Sequence, residues 1–343
     1  MKKFKILLLF TSFILLFGCA KDEEKSDELK ILKEPISKNE FLLDTLCTIT
    51  LYQGDEKLLD DSFNYIRKYE NLLSRTVKGS DVYNLNNSDG KAVKISPETM
   101  EVIKSGLHYS DLTNGKFDIS IEPISSLWNF DNDDSKIPDK SDLDKLLPNI
   151  NYKDIEIIDD HTVKLKSPEQ GIDLGAIAKG YIADELKSYL EKKGVKHAVI
   201  DLGGNVLCIG VKPNGEKFKV GIQDPFNKRN KVYGIVDIDD KSVVSSGIYE
   251  RFIEKDGKRY HHILNPKTGM PYDNGLEQVT IISEKSIDGD GLSTSAFALG
   301  VEEGIKLINT IDDVDAIFIT EDGKIHKTEG IDSKYNFREY KKD

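Results

Sequence analysis

The chain has 343 residues, with 60 acidic against 48 basic side chains and a net charge of -12. That balance leaves no basic footprint for nucleic acid and no charge-driven adhesion to an anionic lipid surface. Apolar residues make up 38% of the chain, enough for a packed core, and three cysteines are too few for a disulfide scaffold.

The N-terminus reads as a targeting segment. Lys2, Lys3 and Lys5 precede an apolar run from Ile6 to Phe17. The run is short for a membrane span and suits the apolar part of a signal peptide. It closes on Leu16-Phe17-Gly18-Cys19, close to the lipobox of bacterial lipoproteins, although Phe17 is bulky for its place. An ordinary signal peptide or an uncleaved anchor also fits the run, but glycine then cysteine at its end favours acylation of Cys19. The expected layout is a signal at 1–18, a flexible tether at 19–38 and one folded domain at 39–335. Most of the tether is the charged run Ala20 to Pro35, which lacks aromatics. Cleavage removes three lysines and no acids, which takes the net charge from -12 to -15. The lipid would hold the protein on the extracytoplasmic side of the cell membrane, with its acidic surface off the bilayer.

In chain order, the fold is expected to begin near Phe41, and Thr48 to Tyr52 (TITLY) is a β-type run. Leu59, Phe63, Ile66, Tyr69 and Leu73 recur at helical spacing, so Asp55 to Arg75 is predicted helical. A second helix starts at Ser96-Pro97-Glu98, with serine as cap and proline in the first turn, and stops at Thr113-Asn114-Gly115. Asp131 to Pro148 is acidic and polar, and reads as a solvated insertion with a short helix at Leu143 to Leu147. Short β-rich runs then alternate with Gly or Asn turns: Ala198 to Asp201, Lys217 to Ile222, Val232 to Asp237, Tyr260 to Leu264, Gln278 to Ile282 and Ala316 to Thr320. Few helices separate them, which favours antiparallel pairing and an α+β class. Leu292 to Leu299 looks helical, with Gly300 as its stop.

Several segments carry chemistry. IDLGAIAKGYIAD, from Ile172 to Asp184, sets Asp173, Gly175 and Lys179 around a predicted strand-to-helix turn. Such a turn brings backbone, one anion and one cation to a phosphate or a metal. In DGDGLSTSAFALG, from Asp288 to Gly300, the two aspartates are expected in a glycine-rich turn. Asp290 and Thr294 are four apart and share a face at the helix start, offering the hard oxygens that Mg²⁺ or Ca²⁺ takes. Ordinary N-capping explains the same pattern. His261-His262 closes a strand, where neighbouring side chains point to opposite faces, so the two are poor joint ligands for one metal. One of them can act as a general base, and a hydrogen-bonded strand-end histidine is the plain alternative. Leu202-Gly203-Gly204-Asn205 is either a close-approach loop or a turn between strands, with neither a Walker lysine nor a GxGxxG pattern. Gly115-Lys116-Phe117-Asp118 and the lone Trp128 either wall a flat-ligand pocket or pack the core. Cys47 and Cys208 read as buried small hydrophobes.

In their order, TNGKFDIS…PISSLW, IDLGAIAKGYIAD, IDLGGN, SSGIYERF, HHILNPKTGMP and DGLSTSAFALG resemble the ApbE family, the FAD:protein FMN transferases, over roughly Phe41 to Gly330. The resemblance implies an ApbE-like (T-fold-like) α+β fold in two parts, with antiparallel sheets, flanking helices and a flavin cleft between the parts. It implies Mg²⁺-dependent transfer of FMN from FAD to a Thr or Ser hydroxyl of an exported partner, with a phosphoester formed and AMP released. The acceptor would be a flavoprotein, such as a redox-complex subunit, with a motif resembling Asp-Gly-x-Ser/Thr-Gly-Ala-Thr. Carried over by position, flavin contacts fall on Leu43, Lys116, Phe117, Asp118, Asp173, Lys179 and Leu264. Metal ligands fall on Ala176 through its carbonyl, Asp290 and Thr294, with the Ser293 carbonyl beside them, and His262 matches the catalytic histidine. This sequence departs from the family at Asn265, where an aspartate is common, at Asp44, often glycine, and at Ser245, often threonine. An FAD pyrophosphatase and a non-catalytic flavin-binding lipoprotein are the competing readings.

Overall fold

The computed structural model describes residues 29–130, 136–227 and 231–340. The expected signal segment, the acylated Cys19 and the first part of the tether fall outside these residues. In chain order the elements are β1 (Ile31–Leu42), β2 (Thr45–Gln53), α1 (Glu56–Leu73), α2 (Asp81–Asn86), β3 (Val93–Lys94), α3 (Pro97–Leu112), α4 (Glu122–Trp128), α5 (Lys140–Leu146), β4 (Ile155–Asp159), β5 (Thr162–Leu165) and α6 (Ala178–Lys192). The second half supplies β6 (Ala198–Leu202), β7 (Asn205–Ile209), β8 (Phe218–Gln223), β9 (Val232–Ile238), β10 (Ser242–Gly247), β11 (Phe252–Lys255), β12 (Lys258–His261), β13 (Leu276–Ser283), α7 (Ser286–Leu299), α8 (Val301–Ile308), β14 (Asp315–Thr320), β15 (Ile325–Lys327), α9 (Gly330–Tyr335) and β16 (Arg338–Glu339).

An eight-stranded sheet runs β1-β2-β6-β7-β10-β13-β14-β15, antiparallel at every pairing. With helices gathered on it, the protein is α+β. The tether ends earlier than residue 38, because Ile31 to Lys38 already belongs to β1. β1 is mostly exposed and polar, and its main chain is held by pairing with β2, whose Cys47, Ile49 and Leu51 enter the core. Strand pairing without burial leaves no alternating apolar signal in the sequence. The turn between them holds Leu43 and Asp44 at φ +54° and +56°, the left-handed pair that a two-residue hairpin turn requires.

Helix α1 forms as its stripe predicts. The Asp55 carboxylate accepts the Leu58 N–H at 2.9 Å, and Leu59, Phe63, Ile66, Tyr69 and Leu73 are buried. Helix α3 is likewise capped by Ser96, which accepts the Thr99 N–H at 3.1 Å. Helix α7 is built mostly of small and apolar residues and is buried almost throughout, so it lies inside the molecule against α6, β10, β13 and α8.

The second face of the sheet is covered by the three-stranded sheet β16-β9-β8, whose Val220, Ile222, Val236 and Ile238 meet Val243, Ile282 and Ile317. A smaller cluster gathers Trp128, Ile124, Leu143 and Leu264. The acidic stretch after Asp131 is therefore not simply a solvated insertion. Its described part forms α5 from Lys140, and Ile137, Leu143, Leu146 and Leu147 pack on the tryptophan cluster.

Helix α7 also begins earlier than expected. Asp288 and Asp290 lie in its first turns, not in a glycine turn. The glycine after each aspartate serves close packing: a Cβ on Gly289 would sit 2.5 Å from Val244 Cγ2, and one on Gly291 would run into the Tyr109 ring. The N-terminus of α7 is capped from α6, where the Asp184 carboxylate accepts the Ser286 N–H at 2.7 Å and the Ile287 N–H at 2.9 Å. Gly180 makes that helix crossing possible, since a Cβ there would meet the backbone of Ser286 and, at 2.6 Å, Ile287 Cα. Among the described residues, no helix is long and apolar enough to cross a membrane.

Candidate active site

Three elements meet around the N-terminus of α6. Ile172 to Leu174 is extended, tied to the rest by an Ile121–Gly171 bridge and by Asp173 N–H donating to the Ile119 carbonyl at 2.8 Å. It is not a regular strand, which corrects the expected strand-to-helix turn. The chain turns through Gly175-Ala176-Ile177 into α6, with Lys179 in the first turn.

At that point the helix's own hydrogen bonding is diverted. The Gly180 N–H donates to Asp290 Oδ2 at 2.5 Å instead of to Ala176. No backbone N–H among the described residues donates to the Ala176 carbonyl. Asn205, at the start of β7, donates its amide to Asp290 Oδ1 at 3.0 Å and is itself held by the Ser286 hydroxyl at 2.7 Å. Asp290 is 4% exposed, and burial raises its carboxyl pKa. The charge of Lys179, with the Asn205 and Gly180 bonds, opposes that rise.

Thr294 lies one turn further along α7, on the same face. Its hydroxyl is 3.2 Å from Ser246 Oγ, which also meets Ser293 Oγ at 2.8 Å. Ser293 thus turns a hydroxyl to Ser246 and to the Asp290 carbonyl at 3.0 Å, while its own carbonyl sits inside the α7 ladder. That argues against the Ser293 carbonyl as a metal ligand.

Three oxygens at this point suit Mg²⁺ by their chemistry. One carboxylate, one hydroxyl and one backbone carbonyl without a backbone donor are all hard oxygens, and Mg²⁺ characteristically takes few protein ligands and completes its shell with phosphates and water. No group of three or more His, Cys, Asp or Glu side chains suited to a metal occurs among the described residues. Ser246→Ala is expected to weaken Mg²⁺ affinity about tenfold, as loss of an outer partner of a ligand does. Calorimetric titration with MgCl₂ checks this, and an unchanged affinity would remove Ser246 from the role.

His262 follows β12, one residue after His261. The two diverge as strand geometry requires. His261 is 4% exposed and its Nε2 lies 2.8 Å from the Tyr272 carbonyl, while His262 Nδ1 lies 3.2 Å from the Arg251 carbonyl. Burial foremost, then the charges of Arg251 and His261 and, more weakly, Lys179, pushes the His262 pKa down to about 3. The imidazole is neutral at physiological pH. Lys179 acts electrostatically on both His262 and Asp290, and it forms no ion pair among the described residues. A half-buried ammonium with no ion pair among the described residues, close enough to act on a neutral imidazole and a buried carboxylate, is a place for an anion.

The other expected flavin contacts have the following partners. Asp173 accepts the Gly175 N–H and the Ser125 hydroxyl, both at 2.9 Å, and pairs with Arg75 Nε at 3.3 Å. Leu43 is fixed at its hairpin tip by its N–H donating to Glu70 at 2.7 Å. The Lys116 carbonyl accepts the Tyr272 hydroxyl at 2.8 Å, and Leu264 is buried beside Trp128. Phe117 is buried in the main core. Asp118 is spent internally: Oδ1 takes Ser120 N–H and Oγ, and Oδ2 takes the Tyr152 N–H. Both residues act as framework here, with Asp118 bordering a cavity of about 240 Å³ beside Pro266 and Lys267.

The departure at Asn265 has a simple account. Its Oδ1 accepts the Lys267 N–H at 2.9 Å, a turn-capping job that an amide oxygen does as well as a carboxylate. The motif reading missed Asn205, Ser246, Asp184 and Arg75. Only Asn205 carried a signal, as the polar residue closing the glycine turn.

The sequence model of the ApbE family matches residues 43–318, and the chain belongs to that family. A Klebsiella pneumoniae (strain 342) protein called FAD:protein FMN transferase is 37% identical over 292 residues, covering 84% of this chain and 90% of that protein. One of the same name from Treponema pallidum (strain Nichols) is 32% identical over 315 residues, covering 86% and 87%. Among solved structures, the ApbE protein of Thermotoga maritima superposes with a TM-score of 0.79 at 27% identity, over 86% of this chain and 97% of that one. The apo flavinyl transferase ApbE of Pseudomonas stutzeri gives 0.76 at 25% identity, over 88% and 96%.

Proposed function

We propose that this chain transfers the FMN part of FAD to a protein acceptor. The observation that carries the reading is Lys179 in the first turn of α6, without an ion pair among the described residues, where its charge acts on both the neutral imidazole of His262 and the buried carboxylate of Asp290. Beside kinship with the FAD:protein FMN transferases, that set suits a diphosphate substrate. Lys179 holds a phosphate oxygen. Asp173 and Leu43 orient the flavin end. A Ser or Thr hydroxyl of the acceptor attacks the phosphorus of the FMN half, and its proton passes to the free nitrogen of His262. The new P–O bond is a phosphoester, and the bond to the AMP phosphate breaks. Asp290, Thr294 and the Ala176 carbonyl would hold Mg²⁺, which when bound supplies positive charge against the charge gathering on the leaving AMP.

Incubation with FAD, MgCl₂ and a threonine-bearing peptide of the Asp-Gly-x-Thr-Gly-Ala-Thr pattern tests this. Transfer gives AMP and peptide-bound flavin that survives denaturation. Free FMN with AMP would mean hydrolysis, and FAD bound without AMP release would mean a binding protein.

We further propose that Cys19 is acylated and anchors the fold outside the cell membrane, a reading supported by the apolar run ending in Gly18-Cys19. Mass spectrometry of the membrane-extracted protein should find an N-terminal Cys19 bearing acyl chains. A mature N-terminus elsewhere, or a Cys19 without acyl chains, would refute acylation as its anchor.

A further inference from the structure

Resting on the transferase reading, the inference here concerns how the acceptor is held. A cavity of about 350 Å³ lies between Pro225, Phe226, Ile248, Glu254, Arg259 and Glu277. The hairpin β11–β12 forms one wall. Glu254 and Arg259 are directly paired across it, so their side chains share a face with Phe252. The Arg259 guanidinium lies over the Phe252 ring at 4.5 Å. Ile253 and Tyr260 occupy the opposite face and pack on the Trp128 cluster. Alternation puts Lys255 and Lys258 on that same opposite face, away from the cavity.

Two carboxylates therefore face one guanidinium. The Oε2 of Glu277 is buried without any hydrogen bond among the described residues, and Arg259 Nη1 is 3.8 Å away, too far to donate one. A buried carboxylate oxygen lacking a donor is costly unless something supplies one. Phe226, 43% exposed, offers an apolar flank beside it. The cavity is also near the chemistry. Arg259 is three residues from His262, so their Cα atoms are no more than roughly 11 Å apart.

We propose that this cavity receives a lysine or arginine side chain of the acceptor, a few residues from the hydroxyl that takes FMN. The aliphatic stem packs on Phe226 and Ile248, and the cationic head donates to Glu277 and Glu254. Charge complementarity chooses the occupant, because a further carboxylate entering the cavity would be repelled and a neutral side chain without a donor would leave Oε2 of Glu277 with no hydrogen bond.

Fluorescein-labelled peptides of the Asp-Gly-x-Thr-Gly-Ala-Thr pattern, extended to carry Lys, Ala or Glu three residues beyond the final threonine, test this by anisotropy on the full chain. The lysine peptide should bind about tenfold tighter than the alanine peptide, and the preference should vanish in Glu277→Gln and shrink in Glu254→Gln, with FAD affinity unchanged. Equal binding of the Lys and Ala peptides to the wild type, or a preference kept in both variants, would overturn the pocket. The same peptides, incubated with FAD and MgCl₂, keep the two readings apart. FMN transfer without a lysine preference defeats the pocket alone. A lysine preference without any transfer sustains the pocket and defeats the transferase.

Discussion

Replacing Asp290 by alanine is expected to cut FMN transfer at least about a thousandfold, because the Mg²⁺ proposed to sit on it would supply several kcal/mol of charge stabilisation at the diphosphate. The side chain is almost fully buried, and both its oxygens are aimed by fixed donors, the Asn205 amide and the Gly180 N–H. Those donors lose their acceptor in the variant, at about 1–3 kcal/mol each. Relief from a buried carboxylate offsets part of that cost, so the variant should fold with a lowered melting temperature. Calorimetry with MgCl₂ should show binding lost. A folded Asp290→Ala protein that still transfers FMN in the presence of chelator would remove the metal site from the account.

His262→Asn should lower transfer by about 10²- to 10⁴-fold while leaving FAD affinity within a few fold, the signature of a lost general base. The pH dependence sharpens the point. In the free protein His262 is neutral down to about pH 3, because burial, Arg251 and His261 all disfavour the imidazolium. A base stays competent above its own pKa, so kcat/KM should hold level as the pH falls from 8 through 6.5. When FAD binds, its diphosphate brings negative charge that opposes those cations and raises the imidazole's basicity. The acid limb of kcat should therefore lie at higher pH than that of kcat/KM. Coincident limbs near 6.5 would mean an ordinary exposed histidine, and an undiminished rate in His262→Asn would exclude it as the base.

Much of this architecture was legible in the residues. The α1 stripe, the Ser96-Pro97 start and the β-runs of the second half were readable because burial and capping leave periodic marks. β1 was not, since an edge strand held by main-chain bonds needs no apolar alternation. The aspartate-glycine run was misplaced as a turn for a related reason. Gly289 and Gly291 are small to admit Val244 and Tyr109, and composition alone does not separate a packing glycine from a turning one. At the site, motif order brought out Asp290, Thr294, Lys179 and His262. Ser246 and Asp184 act through contacts spanning 48 and 102 residues of chain, to Thr294 and Ser286, and local spacing does not encode such contacts.

Intact-mass spectrometry of a threonine-bearing acceptor flavoprotein, produced together with this chain in the presence of FAD and Mg²⁺, is the most direct test of the whole account. The predicted result is an acceptor heavier by one FMN less one water, with the flavin on a Ser or Thr and none on the acceptor alone. An acceptor of unchanged mass while FAD is consumed would contradict it.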